Sequence, residues 1–282
     1  MKVLVTGASG YIGQHLITNL LQKKIDIIAS ASSEKSLDKF KWKNDVKYVS
    51  LDIFNYDNSL NLFKHFDFPD KVIHLAWRGL PNYNDKFHFE NNLPKDVQFL
   101  TNLITNGAKD ITVAGTCFEY GLQEGSLLEE METYPCTYYG LAKDSLRKYL
   151  ELLSLQHKFK LKWLRLFYSY GDGQSEKSIL SLLKMAIQNK HTSFEMSGGE
   201  QIRDYLPIEI MTQKIIDISL KSDYAGILNI CSGNPKKLKD FIFEYLQDQS
   251  IELKFGVFPY NKYEPMQFWG DTEKFKNVLN NL

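Results

Sequence analysis

The chain is short of cysteine and of net charge, and it has no long apolar run and no low-complexity tract. Its 34 lysines and arginines are matched by 34 aspartates and glutamates. Neither nucleic acid nor an anionic membrane surface is therefore an expected partner, and an anionic substrate must be gripped locally. Cys117, Cys136 and Cys231 are odd in number and nowhere spaced as CxxC, so they suggest neither a disulfide framework nor a zinc site and suit a reducing compartment. The opening MKVLVTGASG runs at once into a strand-like stretch too short for a signal-peptide core or a membrane span. A cytoplasmic protein without a metal is the expectation. What is present is globular material: 43% hydrophobic and 24% charged residues over 282 positions. That is enough to bury a sizeable core, as one large α/β domain or as a nucleotide-binding domain with an appended lobe.

Apolar, β-branched runs recur at residues 2–6, 26–30, 46–51, 71–76, 110–114 and 161–167, each reading as a buried strand. Between them, residues 11–23, 86–105 and 138–157 return apolar side chains every three or four positions, as amphipathic helices do. Strand and helix in alternation predict a parallel sheet covered on both faces, a Rossmann-type doubly wound α/β fold. Residues 1–167 form the predicted NAD(P)-binding domain, with 205–231 returning to it. Residues 168–204 and 232–282 form a smaller C-terminal substrate-binding lobe. Within that second part, a helix is expected over 178–188, a strand over 191–196, a helix over 208–221 and a strand over 227–230.

Thr6-Gly7-Ala8-Ser9-Gly10-Tyr11-Ile12-Gly13 lies between the first strand and the first helix. Glycines there let the backbone turn tightly and approach a pyrophosphate, whose charge the free N–H groups and dipole of the helix start stabilise. Folds that select NAD usually carry an acid at the end of the second strand to bind the ribose hydroxyls. Here that place reads Ala29-Ser30-Ala31-Ser32-Ser33-Glu34-Lys35. Hydroxyls with Lys35 nearby favour NADP(H); Glu34 leaves NAD(H) open, and the serines would equally cap the next helix.

Tyr139 and Lys143 stand four residues apart in a predicted helix and share a face. A free phenol has a pKa of ~10, too high for proton exchange at neutral pH, but an adjacent ammonium and an oxidised nicotinamide both favour its anion. Alone, the pair is common in helices. Together with TGASGYIG, Asp52-Ile53, HLAW at 74–77, GTCFEYG at 115–121 and YGLAK at 139–143, it makes an ordered set. That set resembles the extended short-chain dehydrogenase/reductase family, in particular its nucleotide-sugar epimerases, dehydratases and reductases.

The resemblance implies that Gly7, Ser9, Gly10, Tyr11, Ile12 and Gly13 cradle the pyrophosphate. Ser30 and Ser32 would face the adenosine ribose, Asp52 and Ile53 the adenine, and Leu75 and Ala76 would line the channel. It implies Thr116 as the hydroxyl on the substrate oxygen, Tyr139 as proton donor or acceptor, and Lys143 as holder of the nicotinamide ribose that lowers the phenol pKa. Cys117 and Tyr168 would contact substrate, and Arg203, in GGEQIRDYLPIE, would fork onto the sugar-nucleotide diphosphate. Tyr168 stands where the family often has Asn, and Asp172 where it has Pro. A homodimer through the helices over 86–105 and 138–157 is also implied.

Dehydratases of the family place an acidic pair after the catalytic Thr. Cys117 and Phe118 occupy those places, and Glu119 is expected to face differently, so water elimination is not expected. A reductase of a nucleotide-linked keto-deoxy sugar at carbon 4 fits best. An epimerase with tightly held NAD is the alternative, and a cofactor-sensing binding protein without chemistry is a third reading. His65, His74, His88, His157 and His191 read as packing or surface residues.

Overall fold

In the computed structural model the described residues are 1–33, 38, 40–247 and 251–280. Glu34 and Lys35, which bear on the cofactor reading, lie outside them. The first half runs β1 (Lys2–Thr6), α1 (Tyr11–Leu21), β2 (Asp26–Ala31), β3 (Lys47–Ser50), α2 (Leu62–His65), β4 (Lys71–His74), α3 (Leu93–Thr105) and β5 (Asp110–Thr116). It continues with β6 (Gly125–Leu127), α4 (Tyr138–Gln156), β7 (Lys160–Leu166), β8 (Tyr168–Tyr170), α5 (Ile179–Gln188), β9 (Ser193–Glu195) and β10 (Ile202–Pro207). Then come α6 (Ile208–Ile216), β11 (Gly226–Ile230), β12 (Pro235–Lys237), α7 (Leu238–Leu246), β13 (Glu252–Lys254), β14 (Phe268–Gly270) and α8 (Glu273–Asn280).

Seven strands form one sheet in the order β11-β7-β5-β4-β1-β2-β3, and every neighbouring pair in it is parallel. Alternation along β1 decides the layers. Val3 and Val5 join a core with Leu16, Leu20 and Ile215, whereas Leu4 turns to the other face and joins Phe99, Leu103, Leu146 and Leu150. Each fully buried Leu or Phe of this kind contributes about 1.5–3 kcal/mol, so two filled faces hold the sheet between its helices. A separate cluster, Leu180, Leu183, Met196, Phe241, Ile242 and Leu246, joins α5 to α7. Phe275 of α8, by contrast, packs into the α1 face of the main sheet.

The helix expected over 86–105 is broken. Residues His88–Asn92 form a wider π-type turn in which the N–H of Leu93 reaches the carbonyl of His88. Pro94 follows in the first turn of α3 and has no N–H to give the preceding turn, which favours this wider path. The helix expected over 208–221 likewise ends in a π-type turn, Asp217–Lys221. Among the described residues no helix is long and apolar enough to cross a membrane.

Candidate active site

The sheet changes direction of winding at β1, which lies between β2 and β4, and such a switch point opens a crevice at the carboxyl ends of the strands. The glycine turn fills one side. Gly7 has φ +68°, and a Cβ there would lie 2.7 Å from the amide nitrogen of Ala76 after β4; only glycine lets the two loops meet. The start of α1 has no side-chain cap and no acidic residue in its first turn, so its leading N–H groups are left for an anion. A dinucleotide pyrophosphate fits this donor set.

Thr6, Gly7, Ser9, Gly10, Ser30, Ser32, Asp52, Ile53, Leu75 and Ala76 line one cleft, joined by Trp77 of the HLAW motif and by Phe54, Arg78 and Asp96, which the sequence did not single out. Arg78 donates to Asp52 Oδ1 at 2.6 Å and lies over the Phe54 ring. Ile12 and Gly13 belong to the first turn of α1. The phenol of Tyr11 is turned away from the glycine turn, towards Ser169 and Gly171, and burial pushes its pKa up to about 12. His74 proves to be more than packing. It is fully buried, with Nδ1 2.9 Å from Thr6 Oγ1 and Nε2 2.5 Å from Asp96, tying β1, β4 and α3 together beneath the cleft.

Thr116 ends β5 and caps the short 3₁₀ turn Cys117–Tyr120; its hydroxyl accepts the Phe118 N–H while Glu119 accepts the Thr116 N–H at 2.8 Å. Glu119 thus faces inward. It is fully buried and also accepts from Trp163 Nε1 and Arg165 Nε, so it holds the turn and is committed to cations and donors behind the site. The start of α4 then packs onto this turn: a Cβ on Gly140 would be 2.5 Å from the Phe118 carbonyl, and Thr137 caps the helix by accepting the Gly140 N–H.

That approach turns the Tyr139 phenol towards the Thr116 side chain. The expectation was a phenol made acidic by its surroundings. Here burial pushes its pKa well above the ordinary range, opposed by the nearby Thr116 side chain. Desolvation outweighs the stabilising contacts available in the protein alone. Lys143 is 2% exposed, and burial lowers its pKa to about 8 against the pull of Asp96 and Glu119. Its ammonium donates to the Ala114 carbonyl at 2.8 Å.

On the far side Tyr83 stacks on Phe118, with Tyr263, Tyr168 and Cys117 in the same apolar cluster. Arg203 is buried there, 3.0 Å from Glu264 Oε2, and it also donates to the carbonyls of Ile202 and Met266. Its guanidinium lies over Phe268 and near Tyr168. The sequence pointed to Arg203, Cys117 and Tyr168; it gave no sign of Tyr83, Tyr263 or Glu264, which arrive from distant segments.

A parallel sheet with a glycine-lined crevice at its switch point, and a Thr, Tyr and Lys set at the crevice rim, defines a nicotinamide-dependent Rossmann enzyme of the extended short-chain type. The chain belongs to the NAD dependent epimerase/dehydratase family, whose model matches residues 3–215. It is similar to dTDP-6-deoxy-L-talose 4-dehydrogenase (NAD(+)) of Aggregatibacter actinomycetemcomitans, with 30% identity over 273 residues covering 96% of this chain and 99% of the relative. It is similar also to dTDP-4-dehydro-6-deoxyglucose reductase of Escherichia coli, with 28% identity covering 89% of this chain and 81% of the relative. In fold it matches UDP-glucuronic acid 4-epimerase from Bacillus cereus in complex with UDP-glucuronic acid and NAD, with a TM-score of 0.84 and 23% identity over 99% of this chain and 93% of that one.

Proposed function

We propose that the chain reduces a nucleotide-linked 4-keto-6-deoxy sugar, or in reverse oxidises the corresponding 4-hydroxyl, with Tyr139 as the proton donor. The observation that carries this reading is the meeting of Thr116, Tyr139 and Lys143 beside the glycine-lined cleft. Both dTDP-sugar relatives carry names that put the chemistry at carbon 4 of a 6-deoxy sugar, which supports a dTDP-linked substrate.

A bound NAD(P)H supplies the hydride to the carbonyl carbon. Tyr139, kept neutral by burial, gives its phenolic proton to the oxygen as negative charge develops there. The Thr116 hydroxyl shares that oxygen, and the Lys143 ammonium one helical turn along stabilises the phenolate left behind. Proton transfer of this kind is worth ~10²–10⁴ in rate. Arg203 grips the diphosphate with its planar fork. In the same assay Arg203→Lys, which keeps the charge and loses the fork, raises KM for the sugar nucleotide about ten-fold with kcat little changed; an unchanged KM removes Arg203 from the grip.

Hydroxyls at Ser30 and Ser32 with Lys35 nearby, and no acid at the end of the second strand, are the ground for favouring NADP(H), while Glu34 leaves NAD(H) open. The names of the dehydrogenase relative and of the fold neighbour both carry NAD, which supports NAD(H) as a cofactor in use. A homodimer through α3 and α4 is supported by the exposed Leu141, Leu152 and Leu155 along α4, and light scattering reads it. A cytoplasmic setting rests on three unpaired cysteines.

The deciding experiment offers NADH and NADPH separately with a panel of 4-keto-6-deoxy sugar nucleotides and follows nicotinamide oxidation. Stoichiometric oxidation with one sugar supports the reductase. Interconversion of two sugars without net oxidation, with cofactor that does not exchange, establishes instead the epimerase reading that the fold neighbour supports. Cofactor binding with neither reaction across the panel favours the sensing reading.

A further inference from the structure

Trp77 follows Ala76 directly, near the start of the loop after β4, and lines the cofactor cleft. Its indole N–H donates to His88 Nδ1 at 3.0 Å, and Asn92 Nδ2 stands 3.2 Å from the same nitrogen. His88 Nε2 is 3.1 Å from the Asn82 carbonyl, so Nε2 carries the proton and the ring is the neutral tautomer with Nδ1 as acceptor. Burial holds the His88 pKa below its ordinary value, which keeps that acceptor free at neutral pH. The π-type turn that interrupts the expected helix is what places His88 and Asn92 behind the indole.

The front of the indole meets the catalytic helix. Lys143 Nζ lies 3.9 Å from the Trp77 ring centroid, and the Tyr139 ring meets Trp77 edge-on at 5.9 Å. An ammonium has three protons to place. One goes to the Ala114 carbonyl, and the aromatic face accepts the charge from a second direction, as ring quadrupoles do most strongly for desolvated cations.

We propose that Trp77 is a positioning residue for Lys143: its indole face, with the ring N–H anchored on His88, holds the ammonium in place and charged beside Tyr139. The proposal rests on the proton-transfer reading of Tyr139 and Lys143. The other charged or titratable groups around the ammonium are Asp96 on α3, Glu119 on the turn after β5, His88 on the π-type turn and Tyr139 on its own helix. Asp96 and Glu119 favour the charged form and burial opposes it, so loss of the aromatic face tips Lys143 towards its neutral form.

The test is the pH profile of reductive kcat/KM, which reports groups of the free enzyme. Reduction needs Lys143 as the cation, so activity falls as pH rises through its pKa of about 8. Trp77→Leu should move this alkaline limb down by about one pH unit, a loss near pH 8 of about five-fold beyond any uniform slowing. Trp77→Phe, which retains an aromatic face, should leave the limb close to its original pH. Trp77→Met carries the same expectation as Trp77→Leu if the latter does not fold. A limb at the wild-type pH in the aliphatic variants, or one displaced equally by Trp77→Phe, overturns the proposal. Failure of the catalytic reading itself looks different: Tyr139→Phe would then turn over normally whatever the Trp77 profiles show.

Discussion

Tyr139→Phe is expected to lose turnover by about two to four orders of magnitude while nicotinamide cofactor affinity stays within about two-fold. The substitution removes one oxygen and leaves the ring. The ring is a packing element: 8% exposed, it contacts Trp77, Tyr83, His88 and Phe118, and all four contacts survive in phenylalanine. The backbone N–H of residue 139, which donates to the Tyr83 carbonyl, survives as well. The altered group is the proposed proton donor, which faces the Thr116 side chain. Stability therefore changes little, and the loss falls on the chemical step. Single-turnover oxidation of prebound NAD(P)H by the keto sugar separates that step from binding, and fluorescence titration gives the cofactor affinity. Turnover within ten-fold of wild type would remove Tyr139 from the mechanism. A parallel loss of cofactor affinity would mean that the phenol serves binding.

What the sequence made legible here is what is local. The seven-stranded parallel sheet follows from runs such as Lys2–Thr6, whose β-branched and apolar residues serve two buried faces at once. Gly7, Gly10 and Gly13 were readable because a turn between strand and helix states its need within eight residues. Thr116, Tyr139 and Lys143 were readable as motif positions. What the motifs do not contain is the surround. Glu119 looked like a loop residue, and only the contacts with Trp163 and Arg165, 44 and 46 positions away, turn it inward as the brace of the turn after β5. Arg203 was legible as an arginine before aspartate, but its partner Glu264 is 61 positions distant. The three-residue strands β6 and β14 were invisible for the same reason: they are held by each other across most of the chain's second half. Their own residues carry no period long enough to read. His74 and His88 lack metal-ligand spacing and read from sequence as packing or surface residues; their roles as hydrogen-bond centres depend on Asp96 and Trp77, on other elements.

Gly13→Ala should weaken cofactor binding by about 100-fold or more and lower thermal stability, and the argument turns on sign. Gly13 lies in the first turn of α1 without a positive φ, so by helix propensity alone alanine would stabilise by up to ~1 kcal/mol. Space reverses this. The added Cβ would fall 2.2 Å from the Gly7 carbonyl oxygen and 2.9 Å from Ala8 Cα. Both are backbone atoms, which no change of rotamer can move aside. Overpacking of this kind costs about 1–3 kcal/mol, more than the propensity gain, and the relief open to the chain is for α1 to move away from the glycine turn. The helix N–H groups would then retreat from the pyrophosphate that they are proposed to bind. A 100-fold loss corresponds to about 2.7 kcal/mol, within reach of losing two charge-assisted hydrogen bonds of about 1.5–3 kcal/mol each. Gly10→Ala is the graded control: its Cβ would lie 3.1 Å from the same carbonyl oxygen, so a smaller loss is expected. Calorimetric titration with NADH and NADPH, beside a thermal melt of each variant, checks both halves. Gly13→Ala with wild-type affinity would mean that the pyrophosphate does not sit on this helix start. An equal loss in the two variants would mean that the close approach of Gly13 to the turn is not what sets the site.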